Sequence, residues 1–553
     1  MKQNFWKWRL RKIRGNRMEN EKEKEKQLLT KPKEKLKKGK QGILHVIFSR
    51  TGIIFLMILI QLGILLICFK LIRDYVFITY WAMVFLGFCL VIVIIGRRGN
   101  PAFQIAWIVP ILTVPVFGAL FYLYFYAQIG SRQLNKLILE EQAKTASLVE
   151  QNPETERMLQ EESQQMTHLA TYLRNASGSA VHRNTSAKYF SSGEEAFEPL
   201  LQELRGAKKF IFIEFFIIGP GYMWESVLEI LKAKAQEGVE VRLLYDGMNE
   251  LFRLPRDYPQ ELEKYGIKCR VFAPIIPALS TTQNNRDHRK IVVVDGRMAM
   301  TGGINLADEY INRKERFGYW KDAAVIIEGE AVKSFTLMFL RTWKVANPKN
   351  QEEVDYRSYI DVPPAERKYP ESGYVLPFDD NPLDGELTSE TVYMDILYSA
   401  KKYVHIMTPY LVPDHEMIVA LTYAAKRGVD VRIMMPHIPD KKYAFLLART
   451  YYDELLDAGV KISEFEPGFV HTKAIVSDDE KAVVGSINMD FRSFYLSFEC
   501  GVLLYQNTAV AELENDFQTT LEKCLTVTHD FYQKQPLIFR IAGKVLRLFA
   551  PLM

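Results

Sequence analysis

The sequence predicts an α/β protein in which N-terminal transmembrane helices are followed by two similar α/β domains in pseudo-twofold arrangement. Three observations predict it. Long uncharged apolar runs occupy much of residues 52–127. Beyond them, β-branched runs alternate with helical stretches of the length used in α/β units. That downstream part also repeats itself. Lys208-Lys209-Phe210-Ile211-Phe212-Ile213 returns as Lys401-Lys402-Tyr403-Val404-His405-Ile406, and Ala235-Gln236-Glu237-Gly238-Val239-Glu240-Val241-Arg242 as Ala425-Lys426-Arg427-Gly428-Val429-Asp430-Val431-Arg432. Offsets of 183 to 193 residues are far above the roughly 20–50 of solenoid repeats, so the copies are whole domains.

Residues 1–50 read as a basic tail. Through residue 40 there are 16 Lys+Arg against 5 Asp+Glu, a net +11, while the whole chain carries only +5. The rest therefore sums to −6, and a slightly acidic body argues against nucleic acid as a partner. The tail has the charge to be drawn to an anionic leaflet.

Residues 51–130 read as a transmembrane region. The runs 52–69 and 75–96 are uncharged, the second ending at Arg97-Arg98. Each is about 20 residues, enough to cross a hydrocarbon core of about 30 Å. A third run, 102–127, contains Pro110 and Pro115, which suit either a kinked span or a re-entrant segment. The tail and Arg97-Arg98 both favour the cytoplasm, making the first two runs an out-and-back pair. A full third crossing would put the body outside; a re-entrant one keeps it inside. A multi-pass protein of the cell membrane with a cytoplasmic body is the expectation. Residues 131–185 read as a helical linker, 186–375 as the first domain, and 376–553 as the second, closing on an amphipathic segment. The five cysteines show no metal-ligand spacing and read as buried small hydrophobes.

Each copy carries one polar string at the head of a β-branched run. The first is His288-Arg289-Lys290-Ile291-Val292-Val293-Val294-Asp295, then six residues, then Gly302-Gly303-Ile304-Asn305; the second is His471-Thr472-Lys473-Ala474-Ile475-Val476-Ser477-Asp478, then six residues, then Gly485-Ser486-Ile487-Asn488. Side chains two apart on a strand point the same way, so His288 shares a face with Lys290, and His471 with Lys473. Each copy thus offers an imidazole, an ammonium and a carboxamide. A phosphodiester needs those groups. Lys290, Lys473, Asn305 and Asn488 can gather its oxygens and hold developing charge without a metal. One histidine can attack phosphorus while the other, protonated, donates to the leaving oxygen. Each imidazole also needs a carboxylate behind its second nitrogen, and Asp322 and Glu499, each opening an apolar strand, are the candidates. Asp295 and Asp478 fit either a chemical role or a structural one at the strand turn.

These paired H-x-K-x(4)-D strings resemble the phospholipase D superfamily and, more narrowly, the bacterial cardiolipin synthases. The resemblance runs from about residue 75 onward. It includes Arg97-Arg98-Gly99-Asn100-Pro101, Gly318-Tyr319-Trp320-Lys321-Asp322, Asn488-Met489-Asp490-Phe491-Arg492-Ser493 and the closing Leu548-Phe549-Ala550-Pro551-Leu552. Ser497 stands where such enzymes commonly have Asn, and Lys321 where Arg is common. The resemblance implies two phospholipase-D-like domains and a catalytic set of His288, Lys290, Asp295, His471, Lys473 and Asp478. It implies condensation of two phosphatidylglycerols into cardiolipin and glycerol through a phosphohistidine, with no metal or other cofactor. The partners are then phosphatidylglycerol and anionic membrane lipids, with no obligate protein partner. The alternative is a phospholipase-D-type hydrolase, in which water resolves the same intermediate.

Overall fold

The computed structural model describes residues 59, 62, 63, 66, 76–127, 129–275, 284–347, 353–361, 369, 373–530 and 536–552. The tail expected at 1–50 and most of the run at 52–69 lie outside the described residues. The chain divides into two compact units, and the larger, Val76–Ile275 with Ser280–Met553, holds both sheets and the helices that cover them.

One helix among the described residues, Phe77–Ile95 within the element Val76–Ile95, is long and apolar enough to cross a membrane. It leaves Phe77, Ile78, Phe85, Phe88 and Ile92 exposed, as a lipid-facing surface would. The bundle of transmembrane helices expected from the sequence is thus represented by this single helix. The third apolar run is broken at Val114 into two helices of 13 residues, Pro101–Thr113 and Pro115–Ala127. Each is about 20 Å long, short of a hydrocarbon core. Pro115 cannot continue the preceding helix, because it lacks an N–H and its ring crowds the turn before it. The two halves approach closely at Gly118, where a Cβ would stand 2.4 Å from the Pro110 carbonyl oxygen.

The body contains two sheets with the same strand order. The first runs Thr185–Phe190, Ala324–Gly329, Met298–Gly302, Lys290–Val294, Phe210–Phe215, Glu240–Asp246, Ile267–Phe272. The second repeats it as Tyr374–Asp380, Ser497–Tyr505, Lys481–Gly485, Ala474–Ser477, Tyr403–Met407, Asp430–Pro436, Lys461–Phe465, with Cys524–Thr526 added at the end. In both, the strand bearing the motif lies antiparallel beside the first strand of a parallel run. The expected duplication is therefore literal, strand for strand. One core joins the copies: Phe212, Val293, Val325 and Phe339 of the first pack with Val476, Val484, Cys500 and Val502 of the second.

Two expected boundaries move. Tyr374 opens the edge strand of the second sheet, so a division after residue 375 cuts that strand. Residues 131–185 are also more than a linker. Helices Pro153–Glu162 and Gln164–Ser177 bury Leu159, Met166, Leu169 and Leu173 against Leu376, Phe378, Tyr393 and Ile396 of the second copy. Each such side chain contributes roughly 1.5–3 kcal/mol, which no free connector would show. Helix Ile129–Thr145 is tied to the first copy by Arg341 Nε donating to Thr145 (2.7 Å) and to its neighbour loop by Tyr356 donating to Glu141 (2.8 Å). The segment clasps both copies.

Candidate active site

The strands deliver the two histidines by a crossed pairing. Arg286–Asp287, just ahead of His288, pairs in parallel with Ser497 and Phe498 of the second copy, and His288 N–H donates to the Phe498 carbonyl at 2.9 Å. Reciprocally, Gly468–Val470, just ahead of His471, pairs with Tyr319–Lys321 of the first copy, and His471 N–H donates to the Lys321 carbonyl at 2.6 Å. Since Glu499 and Asp322 each follow those partner segments by one residue, the carboxylates are exchanged. His288 Nδ1 lies 2.9 and 3.0 Å from the Glu499 oxygens, and His471 Nδ1 lies 2.7 Å from Asp322 Oδ2. An ionised carboxylate only accepts, so in that state Nδ1 carries the proton and Nε2 keeps its lone pair.

Both imidazoles line a cavity of about 760 Å³ together with Asn305 and Asn488. Lys290 and Lys473 are buried, and each ammonium donates to the main-chain carbonyl of its own copy's histidine. The amides differ. Asn305 accepts from Ile217 N–H (2.9 Å) and donates to the Tyr310 hydroxyl (2.8 Å), whereas the Asn488 carboxamide oxygen is buried without a hydrogen-bond partner among the described residues.

Asp295 and Asp478 stand apart from this group. Asp295 accepts from the amides of Lys208, Lys209 and Phe210, and Asp478 from those of Lys401, Lys402 and Tyr403, all at 2.7–2.9 Å. Both adopt positive φ at the turn closing the motif strand (54° and 57°), and neither lines the cavity. Of the two roles the sequence allowed, these contacts are those of a strand-end brace.

Burial dominates the electrostatics. It holds both imidazoles well below their usual range, and the neighbouring charges of Lys290 and Lys473 push the same way. Burial likewise lowers Lys290 to about 8 and Lys473 to about 7, and raises Asp322 to about 6 and Glu499 to about 7. Burial thus favours uncharged imidazoles beside groups whose titration is brought toward neutrality, a pattern common at functional sites. Among the described residues no three His, Cys, Asp or Glu side chains stand together as a metal site.

Several contributors were not foreseen from the sequence. Ser493 donates to Glu499 at 2.8 Å and Ser486 donates to its other oxygen, so the brace behind His288 is itself braced. In the first copy Gly303 stands where the second has Ser486, because a Cβ there would sit 2.0 Å from Asp322 Oδ1. The Gly-Ser and Gly-Gly pairs in the motifs carried that signal. Rings flank both imidazoles: Phe216 at 5.1 Å from His288, Tyr310 at 5.4 Å and Trp320 at 5.2 Å from His471. Three histidines outside the motifs are structurally engaged, His182 with Ser334, His405 with Glu514 and His437 with Glu464.

Comparison with known proteins agrees with the geometry. Residues 200–343 and 393–521, the bulk of the two copies, match a family described as "Cardiolipin synthase, PLD-like domain". An uncharacterised protein of Streptococcus mutans is 48% identical over 81% of this chain and 96% of its own length. A cardiolipin synthase of Halalkalibacterium halodurans is 34% identical over 85% of this chain and 92% of its own. Among solved structures, a phosphatidylserine synthase of Haemophilus influenzae superposes with a TM-score of 0.53 at 15% identity, over 70% of this chain and 98% of that one, a likeness of fold. With the matched domain present twice and the similarity running along nearly the whole of these relatives, the chain is an enzyme of the cardiolipin synthase family within the phospholipase D superfamily.

Proposed function

We propose that the protein condenses two phosphatidylglycerol molecules into cardiolipin and free glycerol through a phosphohistidine. It would work as a multi-pass protein of the cell membrane, with its body on the cytoplasmic side. The observation that carries the chemistry is the pair of imidazoles in one cavity, each with Nδ1 held by the other copy's carboxylate. Nε2 of one histidine attacks the donor lipid's phosphorus and the bond to its glycerol oxygen breaks. The other histidine gives that oxygen its proton. The terminal hydroxyl of the second lipid then returns a proton to this histidine and attacks phosphorus, breaking the P–N bond. Lys290, Lys473 and the amides of Asn305 and Asn488 stabilise the negative oxygens in both transition states. The incoming phosphodiester's charge favours the protonated acid that burial and the two lysines disfavour. Relatives named cardiolipin synthase support cardiolipin as the product.

The test is to give purified full-length protein vesicles of phosphatidylglycerol labelled in both glycerol head group and acyl chains. Cardiolipin appearing in step with free glycerol is expected. Phosphatidic acid and glycerol without cardiolipin would favour hydrolysis instead.

A further inference from the structure

The proposed reaction brings two anionic lipids to one cavity, yet the histidine–lysine–asparagine set can gather only the phosphate being transferred. The acceptor's own phosphate, a few bonds from the attacking hydroxyl, must lie elsewhere. The lining contains five further cations, Arg253, Arg286, Arg316, Lys441 and Arg492, against two carboxylates, Asp440 and Asp490. Arg253 and Arg316 are both spent on Glu309, at 3.1 and 3.0 Å. Arg286 is 3.4 Å from Asp246 and also donates to the Ala273 carbonyl. Arg492 and Lys441 differ: among the described residues neither side chain has an ion pair or hydrogen bond, and Lys441 rests 4.9 Å from the Tyr410 ring.

Each nearby carboxylate accepts from a neutral donor, and Asp490 is near enough to Arg492 and Lys441 to feel both charges. Asp440 accepts from the Tyr410 hydroxyl (2.7 Å) and Asp490 from Ser493 N–H (2.8 Å). Burial works against the Arg492 charge and the charge of Arg286 adds to that cost, which Asp490 and Tyr443 offset only in part. Lys441 is near enough to both imidazoles to depress them. Arg492 and Lys441, without direct partners among the described residues and with the charge of Arg286 opposing that of Arg492, line a cavity in which cations outnumber carboxylates, an ion cluster that an incoming anion would complete.

We infer that Arg492 and Lys441, with Arg286 behind them, form a second phosphate subsite that holds the acceptor lipid's phosphodiester and so directs the intermediate to lipid rather than water. This rests on the transfer reading above. It makes Arg492 and Lys441 specificity residues for the acceptor step, separate from the groups on the reacting phosphorus.

The test compares full-length wild type, Arg492→Gln, Arg492→Lys and Lys441→Gln, with phosphatidylglycerol as donor and two acceptors. One is a second phosphatidylglycerol, the other a neutral short-chain alcohol at high concentration. With the lipid acceptor, the ratio of transfer product to phosphatidic acid should fall about 10- to 100-fold in Arg492→Gln, the range expected for losing a charge-assisted bond to phosphate. It should fall less in Arg492→Lys. With the neutral alcohol the same ratio should move little in any variant. Lys441→Gln, changed at an exposed side chain, guards against a folding defect at Arg492 and should shift the lipid ratio in the same direction. Equal losses with both acceptors, or no loss with either, would overturn the subsite. Wild-type protein that makes no cardiolipin would overturn the transfer reading and the subsite with it, and that failure shows in the wild-type reaction alone.

Discussion

His288 meets Glu499 across 211 residues of chain, and His471 meets Asp322 across 149. Neither imidazole is oriented by its own copy. The histidines, lysines and asparagines were legible in the sequence because their spacing is repeated and fits a strand followed by a tight turn. Both carboxylates could be singled out as well. The exchange could not, since it comes from pairing short segments far apart in the chain. Nor could a bracing Asp295 be told from a reacting one, because both uses need an acidic residue at a strand end. The exchange has a consequence at this scale. Glu499→Gln should lower transfer by about 10²–10⁴-fold, as loss of acid/base support does. It should also share the defect of His288→Ala, while Asp322→Asn shares that of His471→Ala. Acid-quenched single-turnover reactions sort the variants by whether lipid stays on the protein; a sorting by copy would rule out the crossed geometry. The pH profile follows from the lowered pKa values. As pH rises, Lys473 (about 7) and Lys290 (about 8) lose their protons, and with them the positive charge that the proposed mechanism uses, so kcat/KM should decline above neutrality. As pH falls, the imidazoles protonate only well below their usual range, which sets the acid limb. Lys290→Met removes a charge that depresses both, so the acid limb should move up in pH as the maximal rate falls. An acid limb that stays in place would refute this electrostatic coupling.

At the scale of elements, Asn100 caps the helix Pro101–Thr113 through the Ala102 amide. Its amide nitrogen also donates to Asp414 (2.7 Å) and the Tyr495 hydroxyl (2.8 Å). Phe103 packs on Phe491 and Tyr495. The apolar hairpin is thus fastened to the segment that bears Ser493 and Arg492. The C-terminal helix Leu537–Phe549 lies beside it. Its amphipathic spacing was legible in the chain, but its burial had to come from the structure. Gly543 is its buried point, pressed against Leu446 and Thr450, while Leu537 (69%), Ile538 (71%) and Val545 (54%) remain exposed. A helix that turns apolar side chains outward beside an apolar helical hairpin has the form of an interfacial element. Removing residues 537–553 should reduce activity on vesicles by tenfold or more, since about 1.4 kcal/mol of lost interfacial binding suffices. Turnover of a short-chain soluble substrate and the melting temperature should change little. A collapsed melting temperature would instead assign the helix to the core. The helices between 129 and 177 were harder to read, because their composition is mostly polar. The stripe of Leu159, Met166, Leu169 and Leu173 is narrow, and its target, the edge of the second sheet, lies about two hundred residues downstream.

Across the whole molecule, two copies of one sheet share a core and complete each other's half-site, so the unit of function is the pair. The repeat made that duplication legible; its interlocking was not, since an internal repeat predicts two folds without saying how they face. If the paired histidines divide the labour of one covalent transfer, their separate loss must leave different traces. Acid trapping reads those traces: wild type, His288→Ala, His471→Ala and the double variant are quenched after incubation with phosphatidylglycerol labelled in its phosphatidyl part. One single variant should retain acid-quenched label on its remaining histidine, while the other and the double variant retain none. None of the three should form cardiolipin at an appreciable rate. Near-normal cardiolipin formation by the double variant, or label on both single variants alike, would show that the histidines do not share the transfer in this way.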